Sequence, residues 1–241
     1  MKKLKEKAKA LKAAFPYTIP VFTGFTFLGI AYGILMSSKG YGVGWTNLMS
    51  LMVFAGSAQY VAISFLTSVF NPINAFLMTL MINARHLFYG ISMLDKYKDA
   101  GKLKPYLIFG LCDETFSIVC STAPPKDIDK NWFYFFITLL NHAYWVLGSL
   151  LGAWAGSKIS FNTTGLDFVL TALFVVIFIG QWKNKENRKP AIIGIMCSII
   201  CLIIFGQDSF IIPSMAAILI VLTIWRKGYS GKKNLTKEGI Q

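Results

Sequence analysis

The sequence predicts an all-α integral membrane protein, a polytopic bundle of seven or eight transmembrane helices. Three observations carry this. Hydrophobic residues make up 55% of the chain and charged residues only 15%, where an ordinary soluble domain carries about 25% charge. The charges crowd into two tails and a few short loops. Between them run apolar stretches of about twenty residues, the length that crosses ~30 Å of hydrocarbon.

Eight such segments can be delimited: residues 17–36, 47–69, 72–94, 105–122, 132–155, 165–182, 190–205 and 210–226. Pro and Gly mark several of the breaks, as helix starts and stops require. The chain thus divides into a basic N-terminal segment (1–14), a transmembrane domain (15–226) and a basic tail (227–241). No small-residue cleavage site follows the first apolar stretch, so that span is expected to direct insertion itself. The boundary at Asn71-Pro72 carries no charge. The second and third segments therefore read either as full crossings or as a partly broken, re-entrant pair.

The net charge of +13 does not point to nucleic acid. Six Lys and Arg lie in residues 1–12, four in 183–189 and five from Arg226 onward. Basic segments beside apolar spans are typical of cytoplasmic loops and attract anionic lipid. With eight crossings and both termini inside, the inside segments carry 17 basic residues and the outside loops 6. The awkward loop is 95–104, whose four Lys fall outside in this scheme. Seven crossings would bring it inside at the expense of another loop or tail.

A faint internal echo is present. Gly29-x-x-x-Gly33 followed by 47–65 resembles Gly148-x-x-x-Gly152 followed by 165–181. A parallel duplication of helix hairpins would produce it. The same glycines, with Ala55, Gly56 and Gly156, form small-residue stripes that let helix backbones approach closely in a bilayer. They read first as packing faces and second as a sliding seam.

Polar residues inside the spans need a reason, because a charge at mid-bilayer costs at least ~2.5 kcal/mol. Gln59 is central in the second segment, Asn83, Arg85 and His86 in the third, Asp113 and Glu114 in the fourth, and Asn141 and His142 in the fifth. Helical periodicity places Asn83, His86 and Gly90 on one face. Asp113 and Glu114 diverge by about 100°, so Arg85 can pair with only one of them. The other acid is then suited to carry a proton, and His86 and His142 to join a relay. The bland alternative is a buried ion pair locking two helices, with Asn and Gln as ordinary interhelical bonds. Asp167 and Asp208 sit at segment ends, where N-capping accounts for them. Cys112, Cys120, Cys197 and Cys201 read as buried thiols, and with two His a metal cluster is not expected. No cofactor is expected. Trp45, Trp132, Trp182 and Trp225 fit interfacial belts; Tyr60, Tyr89 and Tyr144 read as packing residues or cavity walls.

Five ordered strings then stand out: Phe54-Ala-Gly-Ser-Ala-Gln-Tyr-Val, Asn83-Ala-Arg-His-Leu-Phe-Tyr-Gly90, Asp113-Glu-Thr-Phe-Ser117, Asn141-His-Ala-Tyr-Trp-Val-Leu-Gly148 and Gly165-Leu-Asp-Phe-Val-Leu-Thr-Ala-Leu-Phe174. Together they resemble the AzlC family, the large subunit of bacterial branched-chain amino acid exporters, from about Pro16 to Trp225. The resemblance implies export of leucine, isoleucine and valine, and in some members methionine or analogues such as azaleucine. It implies a separate small membrane subunit of the AzlD type and energy from the membrane potential or proton gradient, consistent with the lack of a Walker motif. It implies residence in the bacterial cell membrane. It assigns no catalytic residues, so the candidate site rests on the buried polar set: Gln59, Asn83, Arg85, His86, Asp113, Glu114, Asn141 and His142.

A zwitterion with an apolar side chain needs an anion for its ammonium, donors for its carboxylate and an oily pocket. Asp113 or Glu114 would serve the first; Arg85, Gln59 and Asn83 would serve the second. Two rival classes are an intramembrane hydrolase, disfavoured because the adjacent acids diverge, and a non-transporting scaffold or sensor subunit.

Overall fold

The computed structural model describes residues 2–158, 168, 172, 175, 178–179, 182–183, 185–206, 210, 213–214, 216–218 and 220–225. These are helical with no strand among them. The chain splits into two compact units, Met1–Leu170 and Thr171–Gln241.

The first unit contains α1 (Lys2–Ser38), α2 (Val43–Met52), α3 (Gly56–Thr67), α4 (Pro72–Met93), α5 (Lys104–Phe109, preceded by a 3-10 turn), α6 (Asp113–Ser121) and α7 (Lys130–Lys158). The basic N-terminal segment is therefore the first turns of α1, continuous with the apolar part. In the second unit, α8 (Lys185–Phe205) is resolved along its length. Among the described residues, α1, α7 and α8 each contain a stretch long and apolar enough to cross a membrane. At 22 residues, α4 is also long enough, at about 33 Å, but Asn83, Arg85 and His86 interrupt its apolar run.

α1 and α7 lie side by side and parallel. Phe25 meets Trp145, Gly29 meets Gly148, Gly33 meets Gly152 and Ser37 meets Gly156. The glycines permit this contact. A Cβ at Gly29 would lie 2.9 Å from the Ser149 amide, and one at Gly148 2.9 Å from the Thr26 carbonyl. A Cβ at Gly33 or Gly152 would overlap the backbone of Ser149 or Ile30 outright. The small-residue stripes are thus the two faces of one seam. The second half of the expected repeat, residues 165–181, lies largely outside the described residues, as do Asp167, Asp208 and the tail 227–241.

Between α1 and α7 the chain departs from the simple reading. The second apolar segment is not one helix. It is α2 and α3, broken at residues 53–55, with both outer ends at the same end of the α1–α7 pair. α2 descends from the C-terminal end of α1 until Phe54 meets Phe25 and His142. α3 climbs back: Tyr60 donates to the Leu28 carbonyl at 2.8 Å, and Tyr41, just before α2, donates to the Leu66 carbonyl near the end of α3 at 2.8 Å. This is a re-entrant hairpin. The fourth segment does the same from the opposite end. α5 rises from a cluster shared with Ala14 and Phe133 to Phe109 beside His142. After a break at residues 110–112, α6 returns until Val119 and Cys120 accept from Lys96 Nζ. α4 runs between the hairpins, antiparallel to α1, and ends with Met93 in that same cluster.

The physical reason is local. The helical ladder stops after Val53 and after Gly110; Phe54 has φ 38°, a left-handed conformation costing about 1–3 kcal/mol in a bulky residue. Broken backbone at depth is tolerated where protein or water buries it, and Phe54 is 4% exposed. The rearrangement also settles the awkward loop. Of the fifteen Lys and Arg positions in residues 1–158, twelve now fall at one end of the unit: six before residue 13, Lys96, Lys98, Lys102, Lys104, Lys126 and Lys130. Lys39 and Lys158 lie at the other end, and Arg85 lies between.

Candidate functional site

The tips of the two hairpins meet halfway along α1 and α7. The Phe54 ring lies 6.4 Å from Phe109 and 4.4 Å from the His142 imidazole, centroid to centroid. His142 bridges both hairpins. Its Nε2 is 3.3 Å from the Ser50 carbonyl of α2, and its Nδ1 is 3.0 Å from the Tyr106 hydroxyl of α5. A carbonyl only accepts, so Nε2 carries the hydrogen and Nδ1 accepts from Tyr106.

Around this junction, helix α4 supplies the cation. Arg85 Nη2 donates to Ser57 Oγ at 3.1 Å and pairs with Asp113 Oδ2 at 3.0 Å. Ser57 is in the first turn of α3 and Asp113 begins α6. One guanidinium therefore ties together the inner ends of both hairpins. Those ends are helix N-termini, whose dipoles favour negative charge. With Arg85, they make a centre that suits the Asp113 carboxylate.

A cavity of about 390 Å³ opens beside this centre. Its walls are the first tip (Val53, Phe54, Ala55), the flank of the second (Ile108, Phe109, Leu111) and the α4 face carrying Leu80, Asn83, His86, Leu87 and Gly90. The face that helical periodicity assigned to Asn83, His86 and Gly90 is this wall. The volume is within the range of small-molecule sites, about 300–1,000 Å³, and mostly apolar walls with a few polar groups are typical of them. His86 Nδ1 lies 3.2 Å from the Asn83 carbonyl, so in the neutral ring Nε2 remains an acceptor.

Seven of the eight expected residues separate into groups, with Glu114 beside Asp113. Asn83 and His86 line the cavity, whereas Arg85 and Asp113 pair with each other at the hairpin tips, outside its lining residues. Asn141 and His142 sit on α7 behind the tips, with Asn141 Nδ2 donating to Thr115 Oγ1 at 3.1 Å. Gln59 is used for packing: its Oε1 accepts from Trp145 Nε1 at 2.8 Å and its Nε2 donates to Ser50 Oγ at 3.4 Å. Of the two acids, Asp113 takes Arg85, and Glu114 follows it in the first turn of α6. Four buried polar atoms here lack a protein partner: Asn83 Oδ1, Arg85 Nε, Asp113 Oδ1 and Asn141 Oδ1. Buried groups are rarely left so, and of these four only Asn83 belongs to a residue that lines the cavity. Sequence reasoning missed Ser50, Ser57, Tyr106, Thr115 and Trp145, whose hydroxyls and indole complete the network. Of the tyrosines, Tyr60 and Tyr144 pack against α1, through Leu28 and Thr18.

Broken helices whose tips meet around a paired cation define a class: an all-α membrane protein with a polar centre between its helices. The chain belongs to the AzlC family; residues 20–159 match the family described as AzlC protein. It is 58% identical over 218 residues to the "Branched-chain amino acid transport protein AzlC" of Bacillus subtilis (strain 168), covering 90% of this chain and 86% of that one. It is 43% identical over 217 residues to an "Uncharacterized membrane protein" of Haemophilus influenzae, covering 90% and 89%. The "Inner membrane protein YgaZ" of Escherichia coli (strain K12) is 24% identical over 193 residues, covering 76% and 78%. No solved structure matches the chain.

Proposed function

We propose that this chain is the large subunit of a secondary transporter that exports branched-chain amino acids across the cell membrane. Leucine, isoleucine and valine are the substrates, with methionine and analogues such as azaleucine as secondary ones. The proton motive force drives export, and a small membrane subunit of the AzlD type completes the carrier. The carrying observation is that the same two hairpin tips form the wall of a mostly apolar cavity and, at their helix N-termini, hold the Arg85–Asp113 pair. A relative 58% identical bears the name of a branched-chain amino acid transport protein, which favours a carrier over an enzyme.

In this reading the aliphatic side chain lies against Leu80, Leu87 and Ile108. The carboxylate approaches Arg85 and the two helix N-termini, and the ammonium meets an acceptor on the cavity wall. Glu114, next to the engaged Asp113, carries the coupling proton. Discontinuous helices at mid-depth suit this task, because their inner N-termini point at anionic groups while their outer ends anchor them. The lysine-rich end faces the cytoplasm, by the bias of positive charge to the inner side.

The test is efflux of radiolabelled leucine, valine, methionine and histidine from preloaded cells, with and without the small subunit. Faster loss of leucine and valine than of histidine, abolished by an uncoupler, is expected. Equal loss from cells lacking the protein would overturn the reading. Glu114→Gln is expected to insert normally and to lose uncoupler-sensitive efflux.

A further inference from the structure

The two hairpins have a regularity that the amino-acid strings conceal. A shift of 58 positions carries hairpin one and its following helix onto hairpin two and its following helix. α4 begins at Pro72 and α7 at Lys130. Asn71 caps α4 by accepting from the amides of residues 73 and 74. Asp129 caps α7 by accepting from the amides of residues 131 and 132. Ser57 in α3 and Thr115 in α6 correspond, and each accepts from the helix that follows, though from donors that are not counterparts: Arg85 of α4, where α7 has Ala143, and Asn141 of α7. Asn83 and Gly90 on α4 map onto Asn141 and Gly148 on α7. The two copies enter from opposite ends of the unit, and α4 is antiparallel to α7. This is an inverted repeat, the arrangement that lets one half of a carrier take up the conformation of the other.

The copies are not in the same state. In the first, the space between hairpin and helix is the cavity, with Leu80 and Asn83 in its wall. In the second, the equivalent space is shut: Thr138, the counterpart of Leu80, is fully buried against Gly110, and Asn141, the counterpart of Asn83, is fully buried against Thr115. Yet both asparagines keep a buried Oδ1 without a partner.

We infer that Asn83 and Asn141 are equivalent acceptors for the ammonium of an amino acid substrate, Asn83 in the state described here and Asn141 in the opposite one. The cycle parts hairpin two from the Thr138–Asn141 stretch of α7 while hairpin one closes on α4, and the α1–α7 seam stays fixed. This rests on the transport reading above and assigns to it the ammonium site and the moving parts.

The test uses cells producing the chain with its small subunit. Asn83→Ser and Asn141→Ser are compared with wild type for leucine efflux per inserted protein. Loss of a hydrogen bond to a charged group corresponds to roughly tenfold or more, and that loss is expected in both variants. Leu80→Cys and Thr138→Cys are then alkylated with a membrane-impermeant maleimide, read above the background of the native cysteines. They are expected to react from opposite faces, and leucine is expected to raise one rate as it lowers the other. Wild-type efflux from Asn141→Ser, or labelling of both cysteines from the same face, would overturn the inference while leaving transport intact. Absence of leucine efflux in the wild type would instead sink the transport reading itself.

Discussion

The α1–α7 seam and the hairpin junction are both interior, but they are built on opposite principles. From Gly29 to Gly156 the seam is backbone against backbone, with glycines in register and no charged side chain between them. The junction is made of short helices, a left-handed Phe54, an ion pair and four orphaned polar atoms. Close contact without polar alternatives has one arrangement. A network with unmet donors and acceptors has several of similar energy. The contrast teaches where this protein is a frame and where it can move.

The seam is the part that substitution should break most completely. Gly33→Leu would drive a side chain into the Ser149 backbone, where no flexible atom can yield. Overpacking commonly costs about 1–3 kcal/mol, and a rigid backbone neighbour puts this case above that range. Loss of assembled protein from the membrane fraction is the expected result, and normal levels would show that the helices can part. At the junction, Arg85→Ala leaves Asp113 without its cation. The two side chains are 32% and 25% exposed, so the loss should be about 2 kcal/mol, below the ~3–5 of a fully buried pair. Thermal unfolding in detergent measures it, and Arg85→Ala with Asp113→Asn should recover part of the loss. No recovery would mean that the pair is not what holds the tips.

Trp145 links the two regions, because its ring packs on Tyr32 and Phe25 of α1 and its N–H serves Gln59 of α3. Trp145→Phe keeps much of the ring but leaves Gln59 Oε1 unsatisfied. An unpaired buried acceptor costs about 1–3 kcal/mol, readable as a lowered unfolding temperature with the seam intact. The smallest effect belongs to Lys96, which reaches the last carbonyls of α6. Lys96→Met should lose about 0.3–1 kcal/mol, the usual size of a cation at a helix C-terminus. A larger drop would mean that the outer end of hairpin two is under strain.

The sequence disclosed the expensive residues and concealed the path of the chain. Arg85, Asp113 and Asn83 stood out because ionisable and amide groups in oil require a reason, and the structure gathers them at one place. The breaks at 53–55 and 110–112 were harder to read. A neutral apolar stretch of about twenty residues has the same composition whether it crosses or turns back, since hydropathy measures the solvent and not the direction. The signals were the small residues Ala55, Gly56 and Gly110 in mid-segment and, above all, four lysines on the wrong side of an eight-crossing scheme. Ser57, Thr115 and Tyr106 gave no signal, because hydroxyls occur in any membrane helix. Their role appears only when the hairpins bring them to Arg85, Asn141 and His142.

That path is also the claim most open to direct measurement. Single cysteines at Lys5, Lys98 and Ser38, all exposed positions, can be labelled with an impermeant reagent in intact cells and again after permeabilisation. Lys5→Cys and Lys98→Cys are expected to react only after permeabilisation, and Ser38→Cys in intact cells. Labelling of Lys98→Cys from outside would make the second and fourth segments full crossings and contradict that path.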